Sequence, residues 1–138
     1  MQNVFEVHQV PNKNIYYIKR VIGIPGDTIN IKKGKVYLTN DTYEDVELPE
    51  TYLSAKNQGR THSQIDSFTV PDGYYLLFGD NRAESLDARM CFGSCYREKT
   101  PFVPIDHIKG RAEFVIWPFW TARWLKNQLS GLDIKSQG

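Results

Sequence analysis

A chain of 138 residues, 41% hydrophobic and 13% aromatic, fits one domain with a sizeable core, and its 24% charged fraction excludes disorder as the default. Seventeen basic residues against 16 acidic leave a net charge of +1, which gives no electrostatic footprint for nucleic acid or an anionic membrane. No run approaches the roughly 20 apolar residues of a spanning helix, and Met1-Gln2-Asn3-Val4-Phe5-Glu6-Val7-His8 lacks the basic and apolar regions of a signal peptide, so the chain reads as soluble with no address of its own.

Residues 4–10 form a short, partly alternating stretch that ends at Pro11, and Asn12-Lys13-Asn14 makes the turn that follows. Residues 15–24 form the strand around which the rest is organised. One alternate face holds Ile15, Tyr17, Lys19, Val21 and Gly23, and the other Tyr16, Ile18, Arg20, Ile22 and Ile24. Both faces are mostly apolar, which predicts a strand covered on both sides. A lysine and an arginine inside such a strand must be paired, shifted in pKa or engaged in chemistry.

Pro25-Gly26-Asp27 closes that strand. Residues 28–32 and 35–39 flank Lys33-Gly34, a hairpin signal, and Asn40-Asp41-Thr42 is another turn. From about 43 to 66 Pro49, Gly59 and many polar residues break every period. This stretch reads as a variable insertion or long loop over the sheet, with one helical turn at 52–56. Order returns at 67–70, and Pro71-Asp72-Gly73 turns into Tyr74-Tyr75-Leu76-Leu77-Phe78, which stops abruptly at Gly79. A polar loop continues to about 99. Residues 108–117 form the last clear strand, and 121–129 a short helix ended by Gly131. The many short segments, punctuated by glycine and proline, predict a mostly β domain.

Gly79-Asp80-Asn81-Arg82-Ala83-Glu84-Ser85-Leu86-Asp87-Ala88-Arg89 sets charged groups, an amide and a hydroxyl directly after a buried strand. Loops placed by a rigid scaffold are where binding and catalysis concentrate. Asp80 can reach back toward Arg20, Asp87 and Arg89 can pair if the loop is extended, and Ser85 can bond a lysine amine. Alone, a loop of this composition is most often only a solvated surface.

Taken together, Tyr17-Ile18-Lys19-Arg20-Val21-Ile22-Gly23-Ile24-Pro25-Gly26-Asp27 and Gly79-Asp80-Asn81-Arg82 with Ser85, Asp87 and Arg89 resemble bacterial type I signal peptidase (leader peptidase). Val103-Pro104 and Ile108-Lys109-Gly110-Arg111-Ala112 are similar to the family's closing segment, so the resemblance spans about 16–118. It implies antiparallel sheets of the signal-peptidase type, folded over a core, and a serine endopeptidase of the Ser-Lys kind. The implied substrates are exported preproteins, cut on the outer face of the cytoplasmic membrane, with the signal peptide bound as an added strand. A membrane surface is an implied partner; a metal, a cofactor and nucleic acid are not. By position Lys19 matches the general base and Ser85 the serine that orients it. Arg20, Asp80, Asn81, Asp87 and Arg89 match structural positions beside the site. The base must be a neutral amine, which a free lysine with a pKa of about 10.4 is not at neutral pH. Burial among apolar side chains lowers that value.

The family carries its nucleophile in a Ser-x-Met-x-Pro motif before the lysine. Ser54, Ser63, Ser67, Ser85, Ser94, Ser130 and Ser136 stand in other contexts, and the only methionines are Met1 and Met90. Residues 1–138 therefore read as a single, incomplete catalytic domain, expected to be inert by itself. Either the nucleophile segment is cut away, or the chain is a degenerate relative that binds or helps assemble a partner; the intact lysine and loop favour the first. A conjugation-type relative is a further alternative, whereas a self-cleaving repressor fits poorly with the 79–89 loop. The family's loop runs Asp-Ser-Arg and soon aromatic-Gly. Here Ala88 replaces that serine, and Phe92-Gly93 comes late, between Cys91 and Cys95. Those cysteines are too few for structural zinc and form either a disulfide or two thiols, the implied location favouring the disulfide. Trp117, Phe119, Trp120 and Trp124 suit core packing or an interfacial belt. His8, His62 and His107 are scattered and read as ordinary residues.

Overall fold

The structure, a computed structural model, describes residues 5–9, 16–93, 95–96, 99–112, 114–115 and 123–124, with side chains described over 16–93, 95–96 and 99–111. Its strands are β1 (Phe5–Gln9), β2 (Tyr16–Gly23), β3 (Thr28–Lys32), β4 (Lys35–Thr39), β5 (Val46–Glu47), β6 (Ser67–Thr69), β7 (Tyr74–Phe78), β8 (Phe102–Pro104), β9 (Ile108–Ala112), β10 (Phe114–Val115) and β11 (Arg123–Trp124). They form a five-stranded sheet in the order β8-β7-β2-β1-β9, a four-stranded sheet in the order β5-β4-β3-β6, and a β10-β11 pair. Every strand pair is antiparallel, so the fold is mostly β, as the sequence predicts.

The hairpin signal at Lys33-Gly34 is realised. β3 and β4 pair from Thr28↔Thr39 to Lys32↔Lys35, and both turn residues take positive φ, 49° and 79°, as a type I′ turn demands. A Cβ on Gly34 would also lie 1.9 Å from the Gly59 carbonyl oxygen, so the turn seats the segment after β5. Alternation then sorts the hairpin's faces: Ile29, Ile31, Val36 and Leu38 point into the core while their neighbours face outward.

That core lies between the two large sheets. Ile22, Leu76 and Phe78 of the five-stranded sheet meet Ile29, Val36, Leu38 and Phe68 of the other. Burying each such side chain contributes about 1.5–3 kcal/mol. Val21, Leu77 and Val103 form a smaller cluster on the opposite face of the five-stranded sheet. β2 thus has apolar contacts on both sides, but only over its second half. Tyr16, Tyr17 and Ile18 are exposed, and burial begins at Lys19. The strand is therefore not covered along its whole length: its apolar start runs past the end of β7, whose register reaches back only to Arg20↔Phe78.

The predicted helix over 121–129 is not found at Arg123–Trp124, which pairs in extended form with Phe114–Val115. The remainder of that segment, the 12–14 turn, and the side chains of Trp117, Phe119, Trp120 and Trp124 lie outside the described residues.

Candidate active site

The site is built where β7 ends beside the middle of β2. The register Arg20↔Phe78, continued one step, sets Gly79 opposite Lys19. From there residues 79–89 wrap around the end of β7 and touch both faces of β2, which present Lys19 and Arg20 on opposite sides.

On one face the Lys19 amine donates to Ser85 Oγ at 2.6 Å. Lys19 is only 8% exposed, although it begins the buried half of its strand. Burial lowers its pKa; Asp87 works the other way, and Arg89 lowers it further. The Tyr17 ring lies 5.6 Å from the amine. Gly79 makes the approach possible, since a Cβ there would lie 1.9 Å from Ser85 Oγ and 3.4 Å from Lys19 Nζ. Ser85 is held from its own backbone, its N–H donating to the Asn81 carbonyl at 2.9 Å.

On the other face Arg20, 1% exposed, makes a bidentate pair with Asp80 at 2.9 and 3.0 Å. Its guanidinium lies over the Tyr52 ring, 3.5 Å from the centroid. Asp87 is fully buried and takes the Gly79 N–H at 2.8 Å, the Arg89 N–H at 3.0 Å, and Arg89 Nε and Nη2 at 2.9 and 2.7 Å. Asp87 and Arg89 thus pair two residues apart within the tight turn that opens the Ala88–Gly93 3-10 segment, and not in an extended loop. Arg89 Nη1 adds bonds to the Arg82 and His62 carbonyls. The ion pairs form a pattern. Arg20, Arg82 and Arg89 each have a carboxylate partner in Asp80, Glu50 and Asp87. Among the described residues the bonded partner of Lys19 is a hydroxyl, which suits an amine that gives up its proton.

The seven residues predicted from sequence are therefore mostly brought together: Lys19 with Ser85, Arg20 with Asp80, and Asp87 with Arg89. Asn81 stands apart. It is exposed, and its amide donates outward to Glu84 at 3.0 Å. What the sequence reading missed is the role of 43–66. Arg82 Nε donates to the Gly79 carbonyl at 3.0 Å, Nη1 to Thr61 Oγ1 at 2.7 Å and Nη2 to the Tyr52 hydroxyl at 2.9 Å. The Ala83 N–H donates to Asn57 Oδ1 at 3.2 Å. The one hint available was that Leu48, Tyr52 and Leu53 interrupt a polar run; Leu48 and Leu53 are both buried. The late Phe92-Gly93 also finds its place. Cys91 and Phe92 turn back with φ of 46° and 54°, Phe92 packs against both apolar clusters, and Cys91 is joined to Cys95 by a disulfide.

Comparison with known families decides what this arrangement belongs to. Residues 3–117 match the family model described as signal peptidase, peptidase S26. The chain belongs to the signal peptidase family. It is 32% identical to signal peptidase I S of Bacillus subtilis over 108 residues, 77% of this chain and 54% of that protein. Against signal peptidase I of Rickettsia felis it is 29% identical over 157 aligned residues, 93% of this chain and 55% of the relative. The chain thus spans about half the length of the curated relatives it matches. Its fold is similar to the crystal structure of a signal peptidase I from Enterococcus faecalis, with a TM-score of 0.59 and 26% identity over 81% of this chain and 95% of that one. Among the described residues no group of three His, Cys, Asp or Glu side chains converges as a metal site would, and no helix is long and apolar enough to cross a membrane.

Proposed function

We propose that the chain supplies the general base of a serine endopeptidase that removes signal peptides from exported preproteins. Lys19 is that base and Ser85 the residue that orients it. The observation that carries the reading is the 2.6 Å contact between the Lys19 amine and Ser85 Oγ, made where burial lowers the lysine pKa. A neutral Lys19 takes the proton of an attacking serine hydroxyl, and the same ammonium then gives a proton to the leaving amine. The attacking serine is one other than Ser85, whose Oγ is hemmed against the Gly79 Cα. Burial lowers the Lys19 pKa and the amine must be deprotonated to act. Turnover therefore rises with pH through the Lys19 pKa, which lies below that of an ordinary lysine.

The substrate class and the outer face of the cytoplasmic membrane come with the family, together with docking at the membrane surface. The Cys91–Cys95 disulfide supports an oxidising compartment. The test uses a signal-peptide substrate. Residues 1–138 alone are expected to be inert, and turnover by them overturns the assignment of the nucleophile. In the intact protein Lys19→Ala should cost on the order of 10⁴-fold in kcat. Ser85→Ala should cost about 10²-fold and leave measurable activity. Retained activity in the lysine variant, or an acyl-enzyme trapped on Ser85, defeats the proposed roles.

A further inference from the structure

We infer that Glu50 and Tyr52, carried by the segment between β5 and β6, are positioning residues for the Lys19–Ser85 pair, acting through Arg82 and the Gly79 peptide. This rests on the reading of Lys19 as the base and gives a working role to a segment that otherwise reads as a variable insertion.

The chain of contacts is short. Gly79 carries no side chain, and its Cα is the wall against which Ser85 Oγ and Lys19 Nζ are set. Its peptide groups are clamped from two sides: Asp87 takes its N–H, and Arg82 Nε holds its carbonyl at 3.0 Å. The Asp87 side is local to the loop, being completed by Arg89. The Arg82 side comes from a distant stretch of chain. Its guanidinium is buried, so it must be neutralised and its N–H groups bonded. Glu50 supplies the charge, and the Tyr52 hydroxyl supplies an acceptor at 2.9 Å while donating to Glu50 Oε1 at 3.0 Å. Burial raises the Tyr52 pKa strongly, so its hydroxyl keeps the proton that it donates to Glu50. The same ring lies 3.5 Å from the Arg20 guanidinium. One side chain therefore touches both buried arginines that frame the loop, Arg82 through its hydroxyl and Arg20 through its face. Leaving Arg82 with an unsatisfied donor would loosen its hold on Gly79. Water would then reach the Lys19 amine and relieve the desolvation that lowers its pKa.

The direct test reads the amine itself, so it does not depend on turnover. Residues 1–138 are labelled with acetic anhydride across neutral and alkaline pH, and acetylation of Lys19 is followed by peptide mass spectrometry. Among the residues whose side chains are described, the groups facing that amine are Ser85, Tyr17, Asp87 and Arg89; all are left in place, as is Glu6, which stands opposite Lys19 in the β1–β2 register. Tyr52→Phe keeps the ring on Arg20 and removes only the hydroxyl; Glu50→Gln keeps the shape and removes the charge. In both variants the Lys19 labelling midpoint should move up toward that of a short lysine peptide labelled in the same solution. In the intact protein the same substitutions should lower kcat about tenfold with KM nearly unchanged. Should Tyr52→Phe not fold, Thr61→Val, which removes another single bond to Arg82, serves in its place. An unmoved Lys19 midpoint in the folded variants overturns the inference and leaves the role of Lys19 intact. A wild-type Lys19 that already labels like the free lysine peptide overturns both.

Discussion

Lys19 and Arg20 are consecutive, similarly buried, and treated in opposite ways. Arg20 cannot lose its proton in a protein, so its burial requires the bidentate pair with Asp80. Lys19 can lose its proton, and its surroundings favour that loss. The sign of the consequence follows from linkage. A lysine whose folded pKa is lowered binds fewer protons folded than unfolded between that value and the ordinary 10.5, so stability rises with pH across the window. Below the folded pKa the cost of burying the ammonium is present in full. Urea unfolding of residues 1–138 at a series of neutral to alkaline pH values should show wild type gaining stability relative to Lys19→Met. A difference that does not vary with pH would mean that Lys19 is an ordinary surface amine. These two residues were legible in the sequence because a cation inside an apolar strand is conspicuous. Arg82, equally buried, was not singled out, because a loop arginine reads the same whether it faces water or a carboxylate.

The elements were legible where a period exists. Alternation and Lys33-Gly34 determine the β3–β4 hairpin, and the abrupt end of the apolar run after Phe78 marks the start of the 79–89 loop. The segment over 43–66 offers no period, because it works through Tyr52, Asn57, Thr61 and Glu50, each bonded to Arg82 or to the Ala83 N–H. Polar contacts at irregular spacing leave no pattern to read. The junction of β7 and its loop carries its own prediction. Gly79→Ala puts a methyl where Ser85 Oγ and Cβ already sit, at 1.9 and 2.5 Å, and neither belongs to a flexible chain end. The variant should lose about 1–3 kcal/mol of stability from overpacking and essentially all turnover in the intact protein. Thermal unfolding and a cleavage assay check the two together. Normal activity in Gly79→Ala would mean that Ser85 can move aside without harm.

The two sheets, the loop and the 47–61 segment form one interlocked body at the scale of the whole molecule, because Phe78 stands at their meeting point. Its ring, fully buried, lies 5.3 Å from the Arg82 guanidinium and 5.5 Å from that of Arg89, with Phe68 edge-on at 6.1 Å. The Cys91–Cys95 disulfide closes the far end of the loop. A closed segment of this size restricts the unfolded chain by about 2 kcal/mol. Cys95→Ala, or reduction, should lower the unfolding free energy by that amount in denaturant titrations, and an unchanged midpoint would show that the turn holds by packing alone. β2 has one more consequence, which concerns counting. Because its neighbours alternate sides, the strand divides the molecule into a side where a proton can be handed over and a side where a charge must stay fixed. An insertion or deletion that slides β2 by one residue would turn Lys19 and Arg20 to each other's faces, and only one of them could then meet the other's former partner. A slide of two would restore the faces, yet it would set Tyr17 or Val21 at the place beside Phe78 and Gly79 that Lys19 now holds. What the fold protects at this strand is therefore an absolute count of residues, a constraint on chain length that no single side chain carries.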